Sequence, residues 1–85
     1  MKEYDWYIAR SLEDGFVACL DTGRVSNSCF SMDEIHEALD RHFQKWGVKP
    51  YQICGVTYNK TYDENGRFVR SEEICEAIEI YPKEG

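Results

Sequence analysis

"CFSMDEIHEALDRHFQKWG", residues 29–47, holds the fullest set of helix signals in the chain. Ser31 has the short side-chain oxygen that caps a helix N-terminus, and Glu34 follows three residues later, completing an S-x-x-E capping box. Phe30 and Ile35 occupy the two positions of a hydrophobic staple. Asp33 and Glu34 put negative charge at the positive end of the helix dipole. Ile35, Ala38, Leu39, Phe43 and Trp46 recur at helical spacing, so one stripe should face a core. Gly47 suits the residue after the helix, and Pro50 prevents its return. The pattern predicts a helix over residues 32–46.

The segments on either side alternate as strands do. "EYDWYIAR" predicts a first strand over residues 3–10. "SLEDG" supplies turn residues, with Gly15 free to take positive φ, and "FVACLD" predicts a second strand over 16–21. Residues 24–30 read as a short third strand or an extended loop. Beyond the helix, "YQICGVTYNKTY" predicts a strand over 51–62, "DENG" a tight turn with Asn65-Gly66 as its hairpin signal, and "RFV" the start of the returning strand. A turn centred there sets Ile53 near Ile78, Val56 near Cys75 and Thr57 near Ile74. Residues 71–81 are ambiguous. Ile74, Ala77, Ile78 and Tyr81 fit one face of a helix that Ser71 could cap. In a regular strand Ile74, Ile78 and Ile80 share a face that Glu76 interrupts. A strand over 75–81 is favoured, ended by Pro82. The expected fold class is α+β: one amphipathic helix packed on a four- to five-stranded antiparallel sheet, ordered ββ(β)αββ, in a single domain spanning 1–85.

Composition narrows the function. At 85 residues the chain has room for one small core, and its twelve aromatic residues (two Trp, six Tyr, four Phe) let few side chains bury much area. The net charge of −6 repels nucleic-acid phosphates and anionic membranes. The N-terminal "MKEYDWYIAR" lacks the apolar run of a signal peptide, and no apolar stretch reaches the roughly 18–20 residues that span a bilayer. A soluble, cytoplasmic protein is expected. Cys19, Cys29, Cys54 and Cys75 form no C-x-x-C, and in a reducing compartment they act as small apolar side chains.

"HEALDRH" superficially resembles the zinc-binding H-E-x-x-H, which needs two histidines at i and i+4. His36 and His42 are i and i+6, so their rings point roughly 120° apart and sit about 9 Å apart along the axis. No metal site is expected there. His42 falls on the apolar stripe, where a packed histidine with one hydrogen bond is the ordinary outcome, and His36 lies off it, in solvent. Cys29, just before the helix, is the best-placed thiol for a reactive role. There is no G-x-G-x-x-G and no Walker lysine, so no cofactor is expected. The aromatic "YDWYI" is interleaved with acids, unlike a base-stacking strand.

What remains is acidic surface. Asp63 and Glu64 lie at the expected hairpin turn, and Glu72, Glu73, Glu76 and Glu79 follow on its second arm, against a basic pole at Arg41, Lys45 and Lys49. In size and charge alone the chain is similar to small phage or plasmid proteins that block a nucleic-acid-binding host protein. The expected function is therefore a non-enzymatic protein-contact module, an inhibitor or adaptor. Asp63, Glu64, Glu72, Glu73, Glu76 and Glu79 would meet a partner with a basic surface. Two copies could also pair through an edge strand. The alternatives are a small-molecule or nucleotide site between helix and sheet, and a Cys/His-dependent enzyme.

Overall fold

A computed structural model of the protein describes residues 4–22 and 29–83. Among these, β1 (Trp6–Ser11), α1 (Met32–Trp46), β2 (Tyr51–Tyr62) and β3 (Phe68–Tyr81) form one helix on an antiparallel sheet of order β1-β2-β3. The α+β class and the single helix agree with the sequence. The described strands number three, where four or five were expected.

The missing ladders have a local cause. The outer edge of β1 is only six residues long, and two segments share it. Arg10 bridges Val17, and the Ala18 N–H donates to the Ala9 carbonyl at 2.8 Å. Cys29 takes the Tyr7 position, exchanging hydrogen bonds of 2.7 and 3.0 Å with it. Among the described residues each segment makes an isolated bridge and neither gains a ladder. The expected turn at Gly15 does form (φ 77°), and Ala18 and Leu20 still bury as the alternation of 16–21 requires. Of the expected strand or loop over 24–30, residues 24–28 lie outside the described residues. β1 itself starts at Trp6, later than position 3.

The helix occupies its expected span. The Ser31 hydroxyl accepts from the Glu34 N–H at 3.1 Å, and Glu34 Oε2 accepts from the Phe30 N–H at 3.1 Å, one residue earlier than in the standard box. Gly47 takes φ 96° and donates to the Phe43 carbonyl at 2.8 Å. Ile35, Ala38, Leu39 and Phe43 are buried against Ala9, Cys29, Tyr51 and Ile53. Trp46 departs from expectation. It is 68 % exposed, on the last helical residue, with the Lys45 ammonium 5.3 Å from its ring. Removing the cap by Ser31→Ala should lower stability by about 1 kcal/mol, read from the urea midpoint.

Residues 71–81 are strand and not helix, continuous with the returning strand begun at "RFV", so that β3 runs from Phe68 to Tyr81. The hairpin loop is also not the two-residue Asn65-Gly66 turn. Only Gly66 has positive φ (78°), and the Asp63 N–H donates to the Arg67 carbonyl at 2.9 Å, leaving Glu64, Asn65 and Gly66 as a three-residue loop. A bulge at Val69 then shifts the register back by one, which restores Thr57↔Ile74 and Val56↔Cys75 as expected. A second bulge, at Ile78, sets Ile53 opposite Glu79 and not Ile78.

These bulges also settle which side chains face the helix. Tyr51, Ile53, Gly55, Thr57 and Thr61 alternate onto one side of β2, and their β3 partners Tyr81, Glu79, Glu76, Ile74 and Arg70 lie on that side with them. Gln52, Cys54, Val56 and Tyr58 face the opposite way, with Ile80, Ala77, Cys75 and Glu73. Glu76 interrupts the apolar pattern because Tyr4 crosses Gly55 to reach it, donating from its hydroxyl at 2.8 Å.

Candidate interaction surface

The base of the β2–β3 hairpin is fixed to the helix by rings. His36 stacks on Tyr81 (centroids 4.5 Å), Tyr81 on Phe43 (6.1 Å), and Phe43 on Tyr51 (5.9 Å). The Tyr81 hydroxyl donates to Asp40 at 2.7 Å, and that bond is the main reason its pKa is raised, with burial and the Asp40 and Glu79 charges adding to it. His36 is therefore not a solvated residue: its Nε2 lies 3.0 Å from Glu79 Oε1. His42, half-buried as the stripe implies, shares a 3.1 Å hydrogen bond with the Tyr51 hydroxyl.

Burial, and then the Lys49 charge, lower the His42 pKa from 6.5. Below pH about 6.5 the unfolded chain takes up that proton before the folded one does, so stability falls as pH drops toward the folded value. His42→Gln should flatten this part of the pH–stability curve, measured as Tm between neutral and mildly acidic pH. An unchanged slope would show that His42 does not set it.

Away from this base the hairpin runs free. Every residue from 58 to 75 is exposed, so neither face of the distal ribbon is covered among the described residues. The molecule measures 51 × 27 × 26 Å, with a radius of gyration of 15.1 Å. A compact chain of this length would have about 12 Å. The ribbon is held at its root by β1 and beyond it by its own contacts. Trp6 and Tyr58 meet edge-on at 4.9 Å near its root, and Tyr62 and Phe68 do so at 6.2 Å near its tip.

The six expected acidic residues do not form one patch. Asp63 is used by the loop, its Oδ1 accepting from the Asn65 and Arg67 N–H groups at 2.9 Å each. Glu76 and Glu79 lie on the helix side, engaged by Tyr4 and His36. Glu64 at the tip and Glu72 and Glu73 on β3 are exposed, the last two on opposite faces. The surface overlooked in the sequence is apolar. Phe68 (58 %), Val69 (56 %), Ile78 (38 %) and Ile80 (41 %) are exposed along β3, whose outer edge has no strand beside it among the described residues. The signal was present in "RFV" and "AIEI", but alternation alone does not say whether a face is covered.

The thiols divide likewise. Cys29, expected to be the most available, has no exposed surface, while Cys19 and Cys75 are exposed. Cys54 is pushed up to about 11, first by burial and then by the charge and hydrogen bond of neighbouring Cys75. No group of three or more metal-ligating side chains occurs among the described residues, and no helix there is long and apolar enough to cross a membrane. Set against known protein families, curated proteins and solved structures, the chain matches none of them.

Proposed function

We propose that the protein is a non-enzymatic contact module whose projecting β2–β3 hairpin is the element that meets other proteins. The observation that carries this reading is the exposure of the whole ribbon from 58 to 75 together with the open outer edge of β3. A two-stranded ribbon with no third strand and no helix across it is marginal in water, so a docked partner strand stabilises it directly. Exposed large apolar residues beside free backbone groups are the usual marks of such an edge. Glu64, Glu72 and Glu73 place carboxylates on the same ribbon, alongside the cations Lys60, Arg67 and Arg70, and it is these carboxylates that would meet a basic partner, in the manner of an acidic inhibitor or adaptor.

Charge reversal tests it. Glu64→Lys, Glu72→Lys and Glu73→Lys together should abolish retention of basic partners on the immobilised protein and barely move Tm. Reversing Asp33 and Glu37 on the helix should leave retention unchanged. If the hairpin reversal retains the same partners as the unaltered chain, the reading is wrong.

One observation favours a second reading, a small-molecule site. A groove of about 400 Å³ lies beside Ser11, Ala18, His42, Lys49 and Tyr51, between the helix and the segment after β1. Its polar groups converge as they do in ligand pockets. A small molecule retained by the protein in native mass spectrometry and released by Lys49→Ala would support it.

A further inference from the structure

We infer that the outer edge of β3 pairs with β3 of a second copy, antiparallel, about a two-fold axis at Glu73, giving one six-stranded sheet across the dimer. This deepens the contact-module reading and rests on it. The basis is that β3 is self-complementary about that residue. An antiparallel pairing centred on Glu73 sets Arg70 opposite Glu76 of the second copy and Arg67 opposite its Glu79. By symmetry each pair occurs twice. Arg70 and Glu76 lie on the same face, since their β2 partners are Thr61 and Gly55. Arg67 and Arg70 form no ion pair among the described residues. Glu76 is already bonded to Tyr4 and Glu79 to His36, and a carboxylate can accept from an arginine beside a partner it already holds.

Apolar groups match in the same register. Phe68 falls opposite Ile78, and Val69 opposite Ala77. Next to Ile78 is a hollow of about 470 Å³ bordered by Gln52, Ala77, Ile80 and Lys83. The exposed Phe68 ring of the second copy would enter it. The bulges agree as well: Val69 and Ile78, the residues of β3 that have no direct partner in β2, come within one position of each other across the axis. Along this edge acids and bases stand at mirror positions. Glu73 is the exception, since it meets its own copy, so the register carries one repulsion at its centre. A basic partner lying on the faces of the ribbon, and not along the edge that the second copy occupies, would neutralise Glu72 or Glu73 and relieve that repulsion, linking partner binding to dimerisation.

Sedimentation equilibrium of the full chain tests this directly. The 10.0 kDa chain should sediment as a dimer at about 100 μM, within reach of a micromolar Kd. Arg70→Glu should weaken the dimer at least about tenfold, Arg70→Glu with Glu76→Arg should restore it, and Glu73→Gln should tighten it. Since Glu76→Arg could disturb Tyr4, Ser71→Cys gives an independent reading. In this register position 71 faces Cys75 of the second copy, close enough for a disulfide. Oxidised glutathione should therefore join the two chains there, the two thiols giving up two protons and two electrons and the glutathione disulfide becoming two thiols. A monomer at that concentration, or a crosslink between other positions, overturns the proposal. A monomer whose hairpin charge reversal still abolishes partner retention would sink the dimer alone. A dimer with unaffected retention would sink the basic-partner reading instead.

Discussion

Leu39→Ala is expected to lower the unfolding free energy by ~2–5 kcal/mol, the cost of a cavity at a position with no exposed surface. For a chain of this length the whole stability is on the order of 4–13 kcal/mol, so the variant should unfold at a much lower urea concentration. Leu39 sits in the cluster that joins Ile35, Ala38 and Phe43 of the helix to Ala9, Tyr51 and Ile53 of the sheet, which leaves few neighbours free to close the gap. Ile78 is also apolar, but it is 38 % exposed on the edge strand. Ile78→Ser should cost no more than about 1 kcal/mol, yet disrupt pairing along β3. The two substitutions thus separate what holds the fold from what meets a partner. Equal losses in the two variants would mean that β3 serves only the fold.

Gly55→Ala is expected to destabilise by about 1–3 kcal/mol, although it adds a single methyl group. The new Cβ would lie within the Tyr4 ring, which crosses the sheet at that point. Tyr4 must then leave, giving up its 2.8 Å hydrogen bond to Glu76 and its edge-on contact with Tyr7 at 5.7 Å. The glycine here serves close approach and not a turn, since its φ is not positive. Because the cost arises through Tyr4, it should largely vanish in a Tyr4→Ala background, where the ring that the methyl group would strike is gone. A double-mutant cycle in urea measures this coupling. Additive effects would show that the ring does not depend on that glycine.

The helix was the most legible element because each of its signals is local. Ser31, Glu34 and Gly47 act on backbone groups within one turn of themselves, and the buried stripe follows from periodicity. Trp46 was misjudged because periodicity gives direction but not reach: on the last turn of α1 the stripe points past the sheet. The register of the hairpin was partly legible, and for an instructive reason. The expected two-residue turn did not form, but the longer loop and the Val69 bulge offset one another, so Thr57 and Val56 met their expected partners. The Ile78 bulge has no such compensation, and Ile53 met Glu79. The expected strand over 16–21 gained no ladder because two segments compete for the short edge of β1, and no local pattern in the sequence shows that competition.

The acidic residues illustrate a different limit. Composition counted six carboxylates as one surface, whereas three of them have neighbours that give them structural work. Asp63 holds the loop, Glu76 meets Tyr4, and Glu79 meets His36. The Asp63 contacts are local, reaching only two and four residues on, but those of Glu76 and Glu79 join residues 72 and 43 positions apart and cannot be read from spacing. Conversely, exposure of Phe68 and Ile78 depends on which elements cover the sheet, and the sequence pattern for a covered face and an open one is the same.

Amide hydrogen exchange across Phe68–Tyr81, followed residue by residue in dilute and in concentrated protein, examines the open edge of β3 most directly. In an antiparallel edge strand about half the N–H groups point away from the neighbouring strand. These amides should exchange rapidly in dilute solution and slow at least about tenfold as concentration drives pairing, while α1 and β1 stay unchanged. If the outward amides of β3 exchange equally fast at every concentration, or protection rises on α1 instead, the edge of β3 is not the surface through which the protein makes its contacts.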